Sequence, residues 1–159
     1  MATWDEVAGA APELAAAVRE RLDAGVHKTL ATLRADGSPR ISGTEITFRD
    51  GDMWLGSMWK SRKARDLQRD PRFALHSASA DPPEWKGDAK LSGRAEEITD
   101  PAAFDALREA RGGEAPSGPY HLFRADITEM SLVRLGDPPD HLVIESWREG
   151  QGVRRVERA

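Results

Sequence analysis

The chain has 159 residues, a formal net charge of −4, 39% hydrophobic and 31% charged residues, and no cysteine. Its length suits one domain with a sizeable core, and its composition is too apolar for a disordered chain. The acidic balance supplies no general attraction to nucleic acid or anionic membranes, and the lack of cysteine excludes disulfides, thiolate metal sites and a cysteine nucleophile. Met1-Ala2-Thr3-Trp4-Asp5-Glu6 lacks the basic start and apolar run of a secretory leader. No stretch approaches the roughly 18 apolar residues of a membrane span, so a cytoplasmic protein is expected.

The first predicted element is a helix over about 12–24. Pro12 suits a first turn, Leu14, Val18 and Leu22 recur at four-residue spacing, and Gly25 can close the end. The period then shortens. Residues 27–33 lean towards strand, Ala35-Asp36-Gly37-Ser38 is a hairpin signal, and 40–48 reads as the returning strand. Asp50-Gly51-Asp52 turns the chain again into the strand 53–58. A short helix follows over 61–69, stopped by Asp70-Pro71, because proline disfavours a helical residue before it. Strand character returns at 73–77 and 88–98, the latter after the loop Asp81-Pro82-Pro83-Glu84. Asp100 and Pro101 open another helix that ends at Gly112-Gly113. After a loop at 114–118 come two β-rich runs, 122–135 and 142–147, the second able to pair with 153–156. Short antiparallel strands with few helices predict a mainly β protein, an antiparallel barrel with flanking helices, rather than repeating βαβ units.

The chemistry concentrates in Leu55-Gly56-Ser57-Met58-Trp59-Lys60-Ser61-Arg62-Lys63-Ala64-Arg65. A strand runs into a helix whose first turn carries a hydroxyl and cations. Free N–H groups and the positive end of the helix dipole favour an anion there. Lys60, Arg62 and Lys63 would add charge-assisted hydrogen bonds to a phosphate. Cations at a helix start are unfavourable in isolation, and a bound phosphate would remove that cost. The competing reading is a solvated basic face on a short helix.

This strand, loop and helix resemble the cofactor segment of the pyridoxamine 5'-phosphate oxidase-like, flavin-binding split-barrel superfamily. Ser61-Arg62-Lys63, Leu67 and Asp70-Pro71-Arg72 carry the likeness, which extends more weakly over 27–98. Ile144-Glu145-Ser146-Trp147 echoes the C-terminal flavin-proximal segment. The resemblance implies a split β-barrel homodimer with two cofactor sites at the subunit interface. It implies that Arg62 and Lys63 hold the cofactor phosphate with help from Ser61. Gly56, Ser57 and Met58 would then face the ring with Thr44, and Trp147 would approach from the partner subunit. Asp88 falls near a position where the oxidases use glutamine. The cofactor implied is flavin mononucleotide (FMN), with the deazaflavin coenzyme as the alternative, acting on a small-molecule substrate by hydride transfer. The oxidases' Arg-Leu-His-Asp-Arg run is replaced here by Gly152-Val153-Arg154-Arg155-Val156-Glu157-Arg158, so vitamin B6 oxidation is not favoured. The rival expectation is a non-catalytic flavin, haem or small-molecule carrier on the same barrel.

Other constellations carry less. The four histidines, His27, His76, His121 and His141, show no short metal-ligand spacing, and His76 is kept only as a minor candidate for the barrel interior. No Gly-x-Ser-x-Gly elbow or Gly-x-Gly-x-x-Gly loop is present. Five tryptophans read first as core and interface packing, with Trp59 and Trp147 as alternatives for flanking a flat ring.

Overall fold

A computed structural model describes residues 2–114, 116 and 118–159. Two positions of the expected loop 114–118, Ala115 and Ser117, lie outside the described residues.

The chain opens with a helix that the four-residue spacing does not reveal, α1 (Trp4–Ala10). Thr3 caps it by accepting from the Glu6 amide at 3.2 Å, while the Glu6 side chain accepts from the Thr3 amide at 2.8 Å. This reciprocal pair satisfies two of the N–H groups that a helix start leaves unbonded. The predicted helix follows as α2 (Pro12–Asp23), with Pro12 in its first turn. Together they bury Trp4, Val7, Leu14, Val18 and Leu22 against the sheet.

The strands are β1 (Lys28–Leu33), β2 (Pro39–Thr44), β3 (Ile46–Arg49), β4 (Asp52–Met58) and, after the helix α3 (Arg62–Arg69), β5 (Arg72–His76) and β6 (Asp88–Glu97). Beyond α4 (Pro101–Ala110) come β7 (Tyr120–Leu135), β8 (Leu142–Arg148) and β9 (Gly152–Arg158). Both Asp-Gly signals are turns. Gly37 has φ +82°, and Asp50 and Gly51 have φ 51° and 80°, the left-handed pair that a two-residue hairpin between right-twisted strands requires.

All pairings are antiparallel, and the sheet order is β2-β1-β5-β6-β7-β4-β3. The 16-residue β7 serves two partners on one edge, β4 along its first residues and β8 along its last, with β9 outside β8. The two ends of the path, β2 and β3, share no ladder, so hydrogen bonds do not close the barrel. The chain itself crosses that gap, since β2 ends at Thr44 and β3 begins at Ile46. The run 40–48 expected as one strand is therefore two, bent at Glu45. Ladder pairing takes its first half to one margin of the sheet and its second half to the other.

The core lies inside this bent sheet and under α1 and α2. Leu30, Leu55, Leu75, Leu91, Phe123, Ile127 and Met130 are at most 2% exposed. A smaller cluster of Trp54, Leu107 and Leu122 seats α4, with Phe104 and Tyr120 packed against it. Among the described residues no helix is long and apolar enough to cross a membrane.

Candidate functional site

The site grows from the end of β4. Met58 finishes the strand, and two residues later Lys60 sits at φ 58°, in the left-handed region that side chains other than glycine disfavour. The surroundings hold it there. Its amide donates to His121 Nε2 on β7 at 3.1 Å, and His121 Nδ1 lies 2.6 Å from Glu97 Oε1 on β6. An acceptor role for Nε2 assigns the proton to Nδ1, which donates to Glu97. Trp59 stacks on the same imidazole, with centroids 4.6 Å apart and planes 12° from parallel. His121 is 6% exposed, so β6 and β7 supply a fixed footing for the loop between β4 and α3.

Ser61 then caps α3, accepting from the Ala64 amide at 3.3 Å. Its hydroxyl also meets that of Ser57 at 2.6 Å, tying the last turn of β4 to the first turn of the helix. No acid lies in that first turn. Lys63 turns toward the sheet, where its Nζ donates to the Gly43 carbonyl on β2 at 2.7 Å. Burial pushes the Lys63 ammonium below its ordinary value, and the nearby Glu45 carboxylate opposes that shift. A half-buried cation bonded to a neutral carbonyl retains donors and charge for an anion.

These groups border a groove of about 490 Å³ between the β2–β3 bend, the end of β4 and the segment leading into β7. Its walls include Gly43, Thr44, Glu45, Gly56, Ser57, Met58, Trp59 and Lys63, with Tyr120 across from them. The volume lies within the range of about 300–1,000 Å³ typical of small-molecule sites. A Cβ built on Gly43 would meet nothing within 4 Å, so the groove reaches the main chain of β2. The walls combine flat apolar surface with cations and a hydroxyl pair.

Of the residues expected at the site, Thr44, Gly56, Ser57, Met58 and Lys63 line this groove together, and Ser61 is bonded to its wall. Arg62 diverges. It lies on the opposite side of α3, lining a second groove with Arg34, Arg40, Arg65 and Arg69. Trp147 is 5% exposed in the main core, opposite Met130 in the β7–β8 ladder, and is not part of the groove. Its side chain packs within its own chain. Asp88 bonds Trp85 Nε1 and Ser79 Oγ at 3.0 and 2.8 Å, and His76 Nδ1 meets the Ser77 carbonyl at 2.6 Å, both away from the groove.

Sequence reasoning missed Arg111. Standing at the C-cap of α4, it reaches over β3 to hold Thr47 Oγ1 at 3.1 and 3.2 Å. Its Nη2 would lie 3.9 Å from a Cβ placed on Gly56, which gives the groove a second cation. The only advance signal was an arginine preceding Gly112-Gly113. The groove's titratable rim pair is His27 and Glu45, 3.9 Å apart and 80% and 50% exposed.

An antiparallel, unclosed barrel with a cationic groove at its strand-to-helix turn defines a class of small-molecule-binding split barrels. The family profile described as pyridoxamine 5'-phosphate oxidase matches residues 14–134, and the chain belongs to that family. No curated protein matches the chain. Among solved structures it is similar to the conserved hypothetical protein Rv2991 from Mycobacterium tuberculosis, at 23% identity and TM-score 0.61 over 72% of this chain and 81% of that one. It is also similar to PhzG from Burkholderia lata 383, solved with tetrahydrophenazine-1-carboxylic acid, at 17% identity, TM-score 0.61 and coverage of 90% and 86%. A third likeness is to an F420 reductase, at 20% identity, TM-score 0.54 and coverage of 70% and 94%. At these identities the likeness is one of fold.

Proposed function

We propose that the chain is an oxidoreductase that binds a flavin-type cofactor, FMN or the deazaflavin coenzyme, and passes a hydride between it and a small organic substrate. Family membership supports the flavin class, and the names of the F420 reductase and PhzG neighbours are in keeping with it. The single observation that carries the reading is Lys63, a half-buried cation at the mouth of a helix start, opening onto the same groove as Gly56 and the Ser57–Ser61 pair.

The residues fit such a cofactor. Lys63, the Ser61 hydroxyl and the free amides of the first turn of α3 would hold its phosphate. The main chain of β2 at Gly43 and of β4 at Gly56 would flank a flat ring, with Thr44, Met58 and Tyr120 as apolar and hydroxyl walls. Arg111 would hold an electronegative group of ring or substrate. When bound, the cofactor supplies the hydride chemistry. The protein's share is anchoring, orientation and exclusion of water. Exposed Met58 (79%) and Trp59 (51%) line the groove, and covering them in a homodimer would complete the site.

Fluorescence titration with FMN and with the deazaflavin coenzyme tests the reading. Lys63→Ala should weaken binding by about tenfold or more, the loss of one charge-assisted bond. Arg62→Ala should weaken it less, because its side chain lies on the other side of α3. Wild-type affinity in the Arg62→Ala/Lys63→Ala double variant would sink the anchoring claim. Cofactor reduction in the presence of a reductant, without turnover of any acceptor, would move the protein to the class of carriers.

A further inference from the structure

The second groove, about 420 Å³, runs between the β1–β2 turn and the face of α3 turned away from Lys63. Five arginines line it, Arg34, Arg40, Arg62, Arg65 and Arg69, against two carboxylates, Asp36 and Asp66. The two acids offset only part of that charge and leave a surplus of three, five arginines less two carboxylates. Asp36 is held by the Ser38 amide and hydroxyl at 2.9 and 2.6 Å. Asp66, 3% exposed, accepts from Thr32 Oγ1 at 2.8 Å, Arg40 Nε at 2.7 Å and Arg69 Nη2 at 2.9 Å. Those bonds brace two guanidinium groups at the groove, and Arg40 gives only its Nε to them.

Among the described residues, the side chains of Arg34, Arg62 and Arg65 have no hydrogen bond or ion pair at all. Guanidinium groups crowded in a concavity repel one another, and because Arg34, Arg62, Arg65 and Arg69 are exposed that repulsion is screened by salt. The planar fork of arginine matches phosphate oxygens two at a time. We propose that this groove binds a compact polyanion, a diphosphate or the phosphate chain of a nucleotide, independently of the Lys63 groove. A singly charged anion would leave most of the surplus uncompensated. A nucleic acid is disfavoured by the chain's net charge of −4. The proposal does not rest on the flavin reading.

Calorimetric titration of the full chain with inorganic diphosphate, and separately with ATP, both without magnesium, tests it. One diphosphate per chain is expected, with affinity falling as salt is raised. The Arg34→Ala/Arg65→Ala variant removes two guanidinium groups that hold nothing else, so it should keep the fold and bind about 100-fold more weakly, roughly tenfold for each group. Circular dichroism checks the fold, and Arg34→Lys/Arg65→Lys should recover part of the affinity. In Lys63→Ala diphosphate binding should be unchanged. Equal affinity for ATP and diphosphate assigns the site to the phosphate chain alone; tighter ATP binding assigns it to a nucleotide. Absence of binding at millimolar diphosphate, loss of it in Lys63→Ala, displacement of diphosphate by FMN, or displacement by a single-stranded oligonucleotide at far lower concentration would each overturn the proposal. A protein that binds neither flavin-type cofactor yet binds diphosphate as described would refute the flavin reading and leave this one standing.

Discussion

Asp66 illustrates how one residue in α3 sets the local electrostatics. Burial by itself would raise its pKa, but hydrogen bonds from Arg40, Thr32 and Arg69 outweigh that effect and hold the carboxyl below its ordinary 3.8. A folded-state pKa below the unfolded one contributes stability that is present above the unfolded value and lost as pH falls through the folded one. Asp66→Asn should therefore cost about 3 kcal/mol near neutral pH, the scale of breaking a buried ion pair. Urea denaturation across pH checks this, and the gap between wild type and variant should shrink below about pH 4, near the unfolded carboxylate value. A gap unchanged down to pH 2 would show that charge is not the cause. A different contact governs Gly93, at the register shift between β6 and β7, where an added Cβ would overlap the Asp126 carbonyl. Gly93→Ala should cost about 1–3 kcal/mol by forcing the two backbones apart, read as a lower melting temperature. The divergence of Arg62 from Lys63 was legible in principle. Consecutive helical residues leave the axis about 100° apart, so Arg62 and Lys63 start out from different faces of α3. The burial of Asp66 was not legible, because its partners come from β1 and β2 and meet it only after folding.

At the scale of elements, turn chemistry made most of the fold readable. Gly37 and the pair Asp50-Gly51 sit where the chain must take positive φ, and β1 and β2, joined by the first turn, alternate in burial as expected. The same alternation that placed 142–147 on a strand also turns Val143 and Trp147 inward together, and so brings Trp147 into the core. The helix α1 escaped because it has only seven residues, though Thr3 and Glu6 at capping-box spacing were its signal. The break at Glu45 left no trace in the pattern, since β2 and β3 keep strand character on both sides. The loop between β4 and α3 depends on β6 and β7 through Glu97 and His121. In His121→Phe the ring can still stack on Trp59, but the Lys60 amide loses its acceptor. We expect the barrel to remain folded, stability to fall by about 1 kcal/mol, and cofactor affinity to fall several-fold as Ser61 loses its fixed position. Unchanged tryptophan fluorescence and unchanged affinity would show that the loop needs no such footing.

For the whole molecule, the family resemblance was legible from one strand–helix junction, and the matched span of 14–134 bears it out. What a single chain's sequence could not convey is which faces are covered in the assembly. Met58 and Trp59 are the exposed large apolar side chains of the groove wall. If two copies meet there, Met58→Asp should shift the sedimentation profile from dimer to monomer and weaken cofactor binding in parallel. A variant that stays dimeric would place the interface elsewhere.

The unpaired seam between β2 and β3 bears on motion as well as on architecture. Spreading the barrel there breaks no interstrand hydrogen bond, whereas parting β6 from β7 would undo a ladder that runs the length of β6. Glu45 is the single residue between the two margins of that seam, and the Lys63 bond to Gly43 ties β2 to α3 beside it like a latch. A ligand that takes over Lys63 would release that latch as it enters. Admission and anchoring would then be two stages of a single exchange of partners at one ammonium group.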